Sequence, residues 1–346
     1  VNRIEMRLII IGFGVVAQSL TEILTVRKKE LLERYGMHPR VVAIVDRSGS
    51  AVNPKGLNLE GVRRVKKEQG TVAATPEYGS LKTSAIEIID QVDAEVMVEA
   101  TPTNLETGEP GISHIEAALK GGKHVVTVNK GPLALALPAL MEMAAYNGVY
   151  LRFSGTVGGG TPILDFGKNC LASDKLISIE GILNGTTNFM LTEMDRLGLT
   201  FEEALRSAQE KGYAEADPSL DIDGLDSAAK LTIMANWLTG KQVTLKDVSV
   251  RGIRDVKPKD LKDAAGRGCA IKLIGRIDEE LKVAPVEVKR DDPICIEGTL
   301  NAVRFHSEFA GDEIIIGKGA GGPETASAVL RDLLDIRERM SGRQLR

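Results

Sequence analysis

The run Met6-Arg7-Leu8-Ile9-Ile10-Ile11 breaks at Gly12 and gives way to a helical pattern from Val15 to about Arg34. Apolarity that does not alternate marks a strand covered on both faces, as in a parallel sheet. The join reads Gly12-Phe13-Gly14-Val15-Val16-Ala17, a G-x-G-x-x-A sequence. Gly12 permits the tight turn, Gly14 lets the backbone approach a pyrophosphate, and Ala17 keeps helix and strand close. The helix N-terminus adds N–H groups and the positive end of its dipole. Alone such a match is weak; between a strand and a helix it points to dinucleotide binding.

The theme repeats. Val41–Val45 ending in Asp46, Glu95–Glu99 and Lys123–Val128 are further strand-like runs, and Val149–Phe153 reads as a short one. Helix-like segments lie at 80–91, 113–120 and 134–146. Strands alternating with helices imply right-handed crossovers and an α/β fold, a Rossmann-type doubly wound parallel sheet. Past Ser154 the character changes to a Gly-rich segment, a strand-like run at 176–183, an NGTTN turn and a helix from about Phe189. Strand patterns return at 270–275 and 281–288. This predicts a dinucleotide-binding domain over 1–150, with 305–346 returning to it, and a second, mixed α+β domain over 151–304.

The acidic residue that closes the second strand of such a fold usually follows the glycines by about 20 residues. Here Asp46 stands 32 positions after Gly14. Asp46 suits a ribose 2′-hydroxyl and therefore NAD, whereas its neighbour Arg47 suits a 2′-phosphate and therefore NADP. The sequence leaves that choice open.

Composition narrows the remaining classes. The 44 basic residues are scattered among 48 acidic ones, for a net charge of −4, and form no basic face for nucleic acid. Cys170, Cys269 and Cys295 are odd in number and form no CxxC pair, which fits unpaired thiols in a reducing cytoplasm. The apolar start is too short and too broken by glycine to span a membrane. Asn169-Cys170 superficially resembles the nucleophile region of an acylating dehydrogenase, but it has no histidine nearby to activate the thiol.

Two other segments carry chemistry. Residues 212–230 hold four carboxylates, Glu215, Asp217, Asp221 and Asp223, in a polar loop, followed by Asp226 four residues before Lys230. On a helix that spacing puts Asp226 and Lys230 on one face. Carboxylates for a cationic substrate beside a proton-carrying lysine explain the pattern, and so does a solvated loop with a surface ion pair. Lys130 follows a predicted parallel strand, at the sheet edge where ligands of open α/β folds collect.

Six segments together resemble the homoserine dehydrogenases: IIGFGVVAQSL, the stretch VEATPTN through VTVNKGPLAL, SGTVGGGTPIL, GILNGTTNFML, GYAEADPSLDIDGLDSAAKL and GAGGPETASAVLRDLL. They run in family order over nearly all of 1–340. The resemblance is to the short form, without aspartokinase or regulatory ACT domain. It implies NAD(P)-dependent interconversion of L-homoserine and L-aspartate 4-semialdehyde, in threonine and methionine biosynthesis. It also implies a homodimer formed through the second domain.

Carried over residue by residue, the resemblance makes Lys230 the acid/base and Lys130 a second catalytic lysine that also contacts cofactor. Glu215, Asp221 and Asp226 become substrate-binding, with Tyr213, Gly185 and Thr186 lining the same pocket. Cofactor contacts fall on Phe13, Gly14, Val15, Val16, Thr101, Gly212 and Gly319. The family commonly has glutamate where Ser154 stands, as part of a monovalent cation (Na+) site with positions matching Val157, Gly159 and Thr161. Without that carboxylate the site is weakened. Two alternatives stand beside this reading: a dehydrogenase for another amino-acid-like aldehyde, and a dinucleotide-sensing regulator without turnover.

Overall fold

The computed structural model describes residues 4–342. In chain order the first elements are β1 (Ile4–Ile11), α1 (Val15–Val26), α2 (Lys28–Tyr35), β2 (Met37–Asp46), β3 (Gly49–Val52), α3 (Leu59–Gln69) and β4 (Gly79–Leu81). There follow α4 (Ala85–Gln91), β5 (Val96–Glu99), α5 (Gly111–Lys120), β6 (His124–Thr127), α6 (Lys130–Tyr146) and β7 (Leu151–Arg152). Next come α7 (Ile163–Asp165), β8 (Leu176–Ile182), α8 (Gly185–Leu197), α9 (Phe201–Glu210), α10 (Ser219–Ile222) and α11 (Leu225–Thr239). The last are β9 (Val248–Val250), α12 (Pro258–Gly266), β10 (Cys269–Ile277), β11 (Leu281–Lys289), β12 (Leu300–Ser307), β13 (Gly311–Lys318) and α13 (Gly322–Met340).

Two units result. The first comprises residues up to Thr156 and those from Gly321 onward, and the second comprises Val157–Ala320. In the first, seven strands run in the order β4-β3-β2-β1-β5-β6-β7. The five strands from β2 to β7 in that order are parallel, and the β3–β4 edge is antiparallel. The order reverses between β1 and β5, which opens the crevice where nucleotides bind in such sheets. β1 is apolar without alternation because helices cover both faces, and Leu8, Ile9 and Ile10 are fully buried. Helix α1 turns Ala17, Leu20 and Leu24 into a core that also holds Val329, Leu333 and Ile336 of α13.

The helix expected from Val15 to Arg34 is broken at Arg27 into α1 and α2. The predicted helix 80–91 starts only at Ala85, where Ser84 and Glu87 form a capping box. Asn129 caps α6, so that helix begins at Lys130, earlier than the apolar pattern suggests; it kinks at Ala136, ahead of Pro138.

The second unit has a six-stranded sheet ordered β13-β12-β8-β10-β11-β9, with α8 and α11 against β10. The expected return to the first unit at residue 305 is corrected here. Phe305 is fully buried on β12, which pairs with β8 and with β13, so residues 305–320 stay in the second sheet. Among the described residues α13 goes back, and Gly322 there packs against Val15.

Candidate functional site

In the first unit, the backbone leaves β1 through Gly12 at φ +89°, and a Cβ there would lie 2.5 Å from the Ala100 carbonyl oxygen. Only glycine fits that approach. Gly14, the N-cap of α1, differs: its φ is −83° and an added Cβ would meet nothing within 4 Å. Its bareness leaves room above the N–H groups of Val15 and Val16, which no side chain caps. Phe13 is buried, and its carbonyl accepts from Gln18 Nε2 at 3.2 Å. The turn is therefore anchored from below and open above, as a pyrophosphate site requires.

Asp46 corrects an expectation. Its carboxylate accepts from Ser48 N at 3.0 Å, Thr71 Oγ1 at 3.0 Å, Lys66 Nζ at 2.7 Å and Val72 N at 2.8 Å. Those four donors fill its acceptor positions and leave none for a ribose hydroxyl. Burial alone would raise its pKa, but the hydrogen bonds from Lys66, Val72, Ser48 and Thr71 hold it below the ordinary value. Arg47 is exposed beside it. A cavity of about 730 Å³ is lined by Gln18, Arg63, Arg64, Lys66, Lys67 and Glu68.

At the carboxyl end of β5, Thr101 N donates to Glu99 Oε1 at 3.0 Å, and the Thr101 hydroxyl donates to the same oxygen. Asn129 donates to Thr101 Oγ1 at 3.2 Å and caps α6 by accepting from Gly131 N at 3.1 Å. Lys130 is thereby the first residue of a helix, and sequence reasoning missed both Glu99 and Asn129.

The second unit gathers a tighter cluster. Lys230 Nζ donates to Asp226 Oδ2 at 2.7 Å and to the Leu183 carbonyl at 2.7 Å, and both side chains are buried. The spacing of four on α11 does place them together, in the interior rather than as a surface pair. Asn184 joins the rest: its Nδ2 donates to Asp221 Oδ1 at 2.6 Å and Asp226 Oδ2 at 3.0 Å, while its Oδ1 caps α8 at Thr187 N. Burial first, and then repulsion from Asp226, push the Asp221 carboxyl above the ordinary value, against the Asn184 hydrogen bond and Lys230. Asn301 Nδ2 donates at 3.0 Å to the Leu183 carbonyl that Lys230 also uses.

Gly185 and Thr186 open α8, and Thr186 Oγ1 donates to the Tyr213 carbonyl at 2.8 Å. Tyr213 packs its ring edge-on against Phe189 with centroids 4.9 Å apart. Glu215 is exposed and is not drawn into the cluster; its backbone carbonyl accepts from Gln209. Asp217 accepts from Ser219 N, and Asp223 pairs with Arg254, so both have structural partners. Gly212 follows α9 at φ +73°, in open space. Gly319 lies against Asn301, whose amide a Cβ would overlap at 2.1 Å.

The segment expected to hold a cation lies in the second unit. The Thr161 hydroxyl donates to the Lys318 carbonyl at 3.2 Å, and its carbonyl accepts from Ile163 N. Val157 is fully buried, and Gly159 packs against the Gly319–Ala320 backbone. In the first unit, Ser154 donates its backbone N–H and its hydroxyl to Asp332 at 2.9 and 2.6 Å. The Thr161 oxygens are thus engaged within the second unit, and position 154 offers a hydroxyl in place of a carboxylate. Among the described residues no group of three or more His, Cys, Asp or Glu could hold a metal, and no helix is long and apolar enough to cross a membrane.

Comparison with known proteins covers both units. The family model described as "Homoserine dehydrogenase, NAD binding domain" matches residues 12–154, and that described as "Homoserine dehydrogenase" matches 162–334. A homoserine dehydrogenase of Methanocaldococcus jannaschii is 47% identical over 96% of this chain and 98% of its own. An NAD(+)-dependent homoserine dehydrogenase of Pseudomonas canavaninivorans is 37% identical over 98% of each. Among solved structures, a putative homoserine dehydrogenase from Archaeoglobus fulgidus aligns with TM-score 0.89 and 39% identity, over 96% of this chain and 99% of that one. A hyperthermophilic archaeal homoserine dehydrogenase in complex with NADPH aligns with TM-score 0.85 and 28% identity, over 99% of this chain and 100% of that one. With both halves matched in order along the sequence, the chain belongs to the homoserine dehydrogenases, a family of NAD(P)-dependent oxidoreductases.

Proposed function

We propose that the chain interconverts L-homoserine and L-aspartate 4-semialdehyde with Lys230 as the proton carrier. The observation that carries this is the double anchoring of Lys230. An ammonium has three hydrogens, and two are directed to Asp226 and the Leu183 carbonyl, which leaves one for a substrate oxygen. When bound, the nicotinamide supplies or receives the hydride. In the reducing direction Lys230 gives its third proton to the carbonyl oxygen as that oxygen gains charge; in oxidation it takes the hydroxyl proton. Lys130, at the start of α6, supplies a second cation for the same reaction.

Asp221 receives the substrate ammonium. Its carboxyl is half-buried and repelled by Asp226, so a cation relieves both costs at once. Exposed Glu215, Tyr213 and the Gly185–Thr186 turn serve the outer part of the pocket, and Gly212 and Gly319 contact the cofactor. Among the nucleotides, the saturation of Asp46 and the basic cavity around Arg63 and Lys66 favour NADP, with Arg47 as the exposed partner of a 2′-phosphate. The place in threonine and methionine biosynthesis, the cytoplasm and a homodimer through the second unit complete the reading; no step runs through a metal.

The test is turnover at 340 nm with homoserine against other amino alcohols, in the parent chain and in Lys230→Ala. The variant is expected to lose at least about 100-fold in kcat with nucleotide affinity retained. Near-normal activity in Lys230→Ala would remove the acid/base assignment, and no turnover of homoserine by the parent would remove the whole reading.

A further inference from the structure

The catalytic reading leaves without a role a carboxylate buried at a strand end of the nucleotide unit. Glu99 closes β5 and is fully buried. Its Oε1 accepts from the backbone and the hydroxyl of Thr101, and its Oε2 accepts from Thr127 Oγ1 at 3.0 Å. Thr127 closes β6, the parallel neighbour of β5. The carboxylate therefore ties together two adjacent strand ends at the edge of the sheet where ligands collect. The Nδ1 of His114 is 3.9 Å away, beyond hydrogen-bond reach, so hydroxyls rather than the imidazole hold Glu99.

Both arms from Glu99 converge on Asn129. Thr127 Oγ1 accepts from Asn129 N at 3.1 Å, and Thr101 Oγ1 accepts from Asn129 Nδ2 at 3.2 Å. Each threonine hydroxyl has one proton and directs it to Glu99, which only accepts. Each must then offer lone pairs to Asn129. That fixes the Asn129 amide with its NH₂ toward Thr101 and its oxygen toward Gly131 N, where it caps α6. The first residue of α6 is Lys130. A carboxylate at one end of the chain of hydrogen bonds thus sets the polarity of every link down to the helix that begins with the lysine.

We infer that Glu99 is a positioning residue for the hydride-transfer reaction, acting through Thr101, Thr127 and Asn129 on the seat of Lys130. The inference rests on the catalytic reading of Lys130 given above. A glutamine at 99 can place its oxygen only where the Thr101 backbone N–H demands an acceptor. Its NH₂ then faces Thr127 Oγ1 and reverses that arm. Thr127→Val deletes the same arm, and Thr127→Ser keeps it.

The experiment measures kcat at saturating homoserine and nucleotide, nucleotide affinity by fluorescence titration, and the melting temperature. The variants are Glu99→Gln, Thr127→Val, Thr127→Ser and the double Glu99→Gln/Thr127→Val. Glu99→Gln and Thr127→Val are each expected to lower kcat about tenfold or more, with affinity within about twofold. Thr127→Ser stays within about twofold of the parent, and the double variant is no slower than the slower single one. Multiplying losses in the double variant, or losses of melting temperature with kcat intact, would overturn the inference. If Glu99→Gln fails to fold, the Thr127 pair decides alone. Lys130→Ala separates the two layers. Normal kcat there removes the catalytic reading of Lys130 and this inference with it, whereas a slow Lys130→Ala beside normal Glu99→Gln and Thr127→Val removes the inference alone.

Discussion

Lys230 and Asn301 donate to one oxygen, the carbonyl of Leu183, from 2.7 and 3.0 Å. That carbonyl leaves β8 just before the Asn184 cap, so the seat of the proton carrier is built from backbone and held from the side by an amide. The donor face of Asn301 is fixed by this contact, and its buried Oδ1 has no hydrogen-bond partner. Asn301→Ala deletes one hydrogen bond together with one unpartnered acceptor, and is expected to destabilise by only about 1–2 kcal/mol. Asn301→Asp sets a buried carboxylate against the carbonyl, at a cost of about 3 kcal/mol or more. Urea unfolding midpoints should fall in the order parent, Ala, Asp; an aspartate variant as stable as the alanine one would contradict this geometry.

Asp221 sets stability against binding. Its carboxyl is raised, so the folded state keeps the proton to higher pH than the unfolded chain, where the ordinary value is about 3.9. Stability therefore falls as pH rises through that interval and stays lower above it. Asp221→Asn keeps an acceptor for Asn184 without the charge. At pH 7 it is expected to melt about 2–4 °C above the parent, with the gain vanishing below about pH 4. The KM for homoserine should rise about tenfold or more, because the ammonium loses its partner. A variant that melts lower than the parent at pH 7, or binds homoserine unchanged, would remove this account.

Asp46 has the opposite sign. Its pKa lies below the ordinary value, so its contribution is present above about pH 4 and is lost as pH falls toward the folded value. Asp46→Asn should destabilise at pH 7, with the difference from the parent narrowing in acid. Arg47→Ala, by contrast, should leave stability alone and weaken NADP+ about tenfold more than NAD+. Equal loss of both nucleotides would move the 2′-phosphate contact elsewhere.

The two glycines of the phosphate loop should fail differently. Gly12→Ala meets the Ala100 carbonyl and a positive φ, and is expected to unfold the unit or depress its melting sharply. Gly14→Ala meets no protein atom and should fold normally while losing about tenfold or more in nucleotide affinity. Calorimetry and nucleotide titration on the pair check this, and normal binding by Gly14→Ala would place the pyrophosphate away from α1.

What the sequence made legible follows the range of the interactions. The continuous apolarity of β1, the glycine turn and the i,i+4 pair on α11 are local patterns, and they appear where local rules put them. Asp46 looked like a ribose ligand because nothing near it in sequence announces that Lys66, Thr71 and Val72 return to it. Asn184 escaped notice for the same reason: its turn was visible, but its partners lie 37 and 42 residues on. The boundary at 305 cuts through the β12–β13 hairpin because pairing with β8 is a register 120 or so residues long, which no window of the chain contains.

Helix α13 has a further consequence for how the chain is made. Its Val329, Leu333 and Ile336 complete the core that Leu20 and Leu24 begin, and the whole of the second unit lies between them in the chain. On the ribosome the nucleotide-binding half starts first and closes last. Its α1 face stays uncovered until the second sheet has been synthesised and the helix behind it emerges.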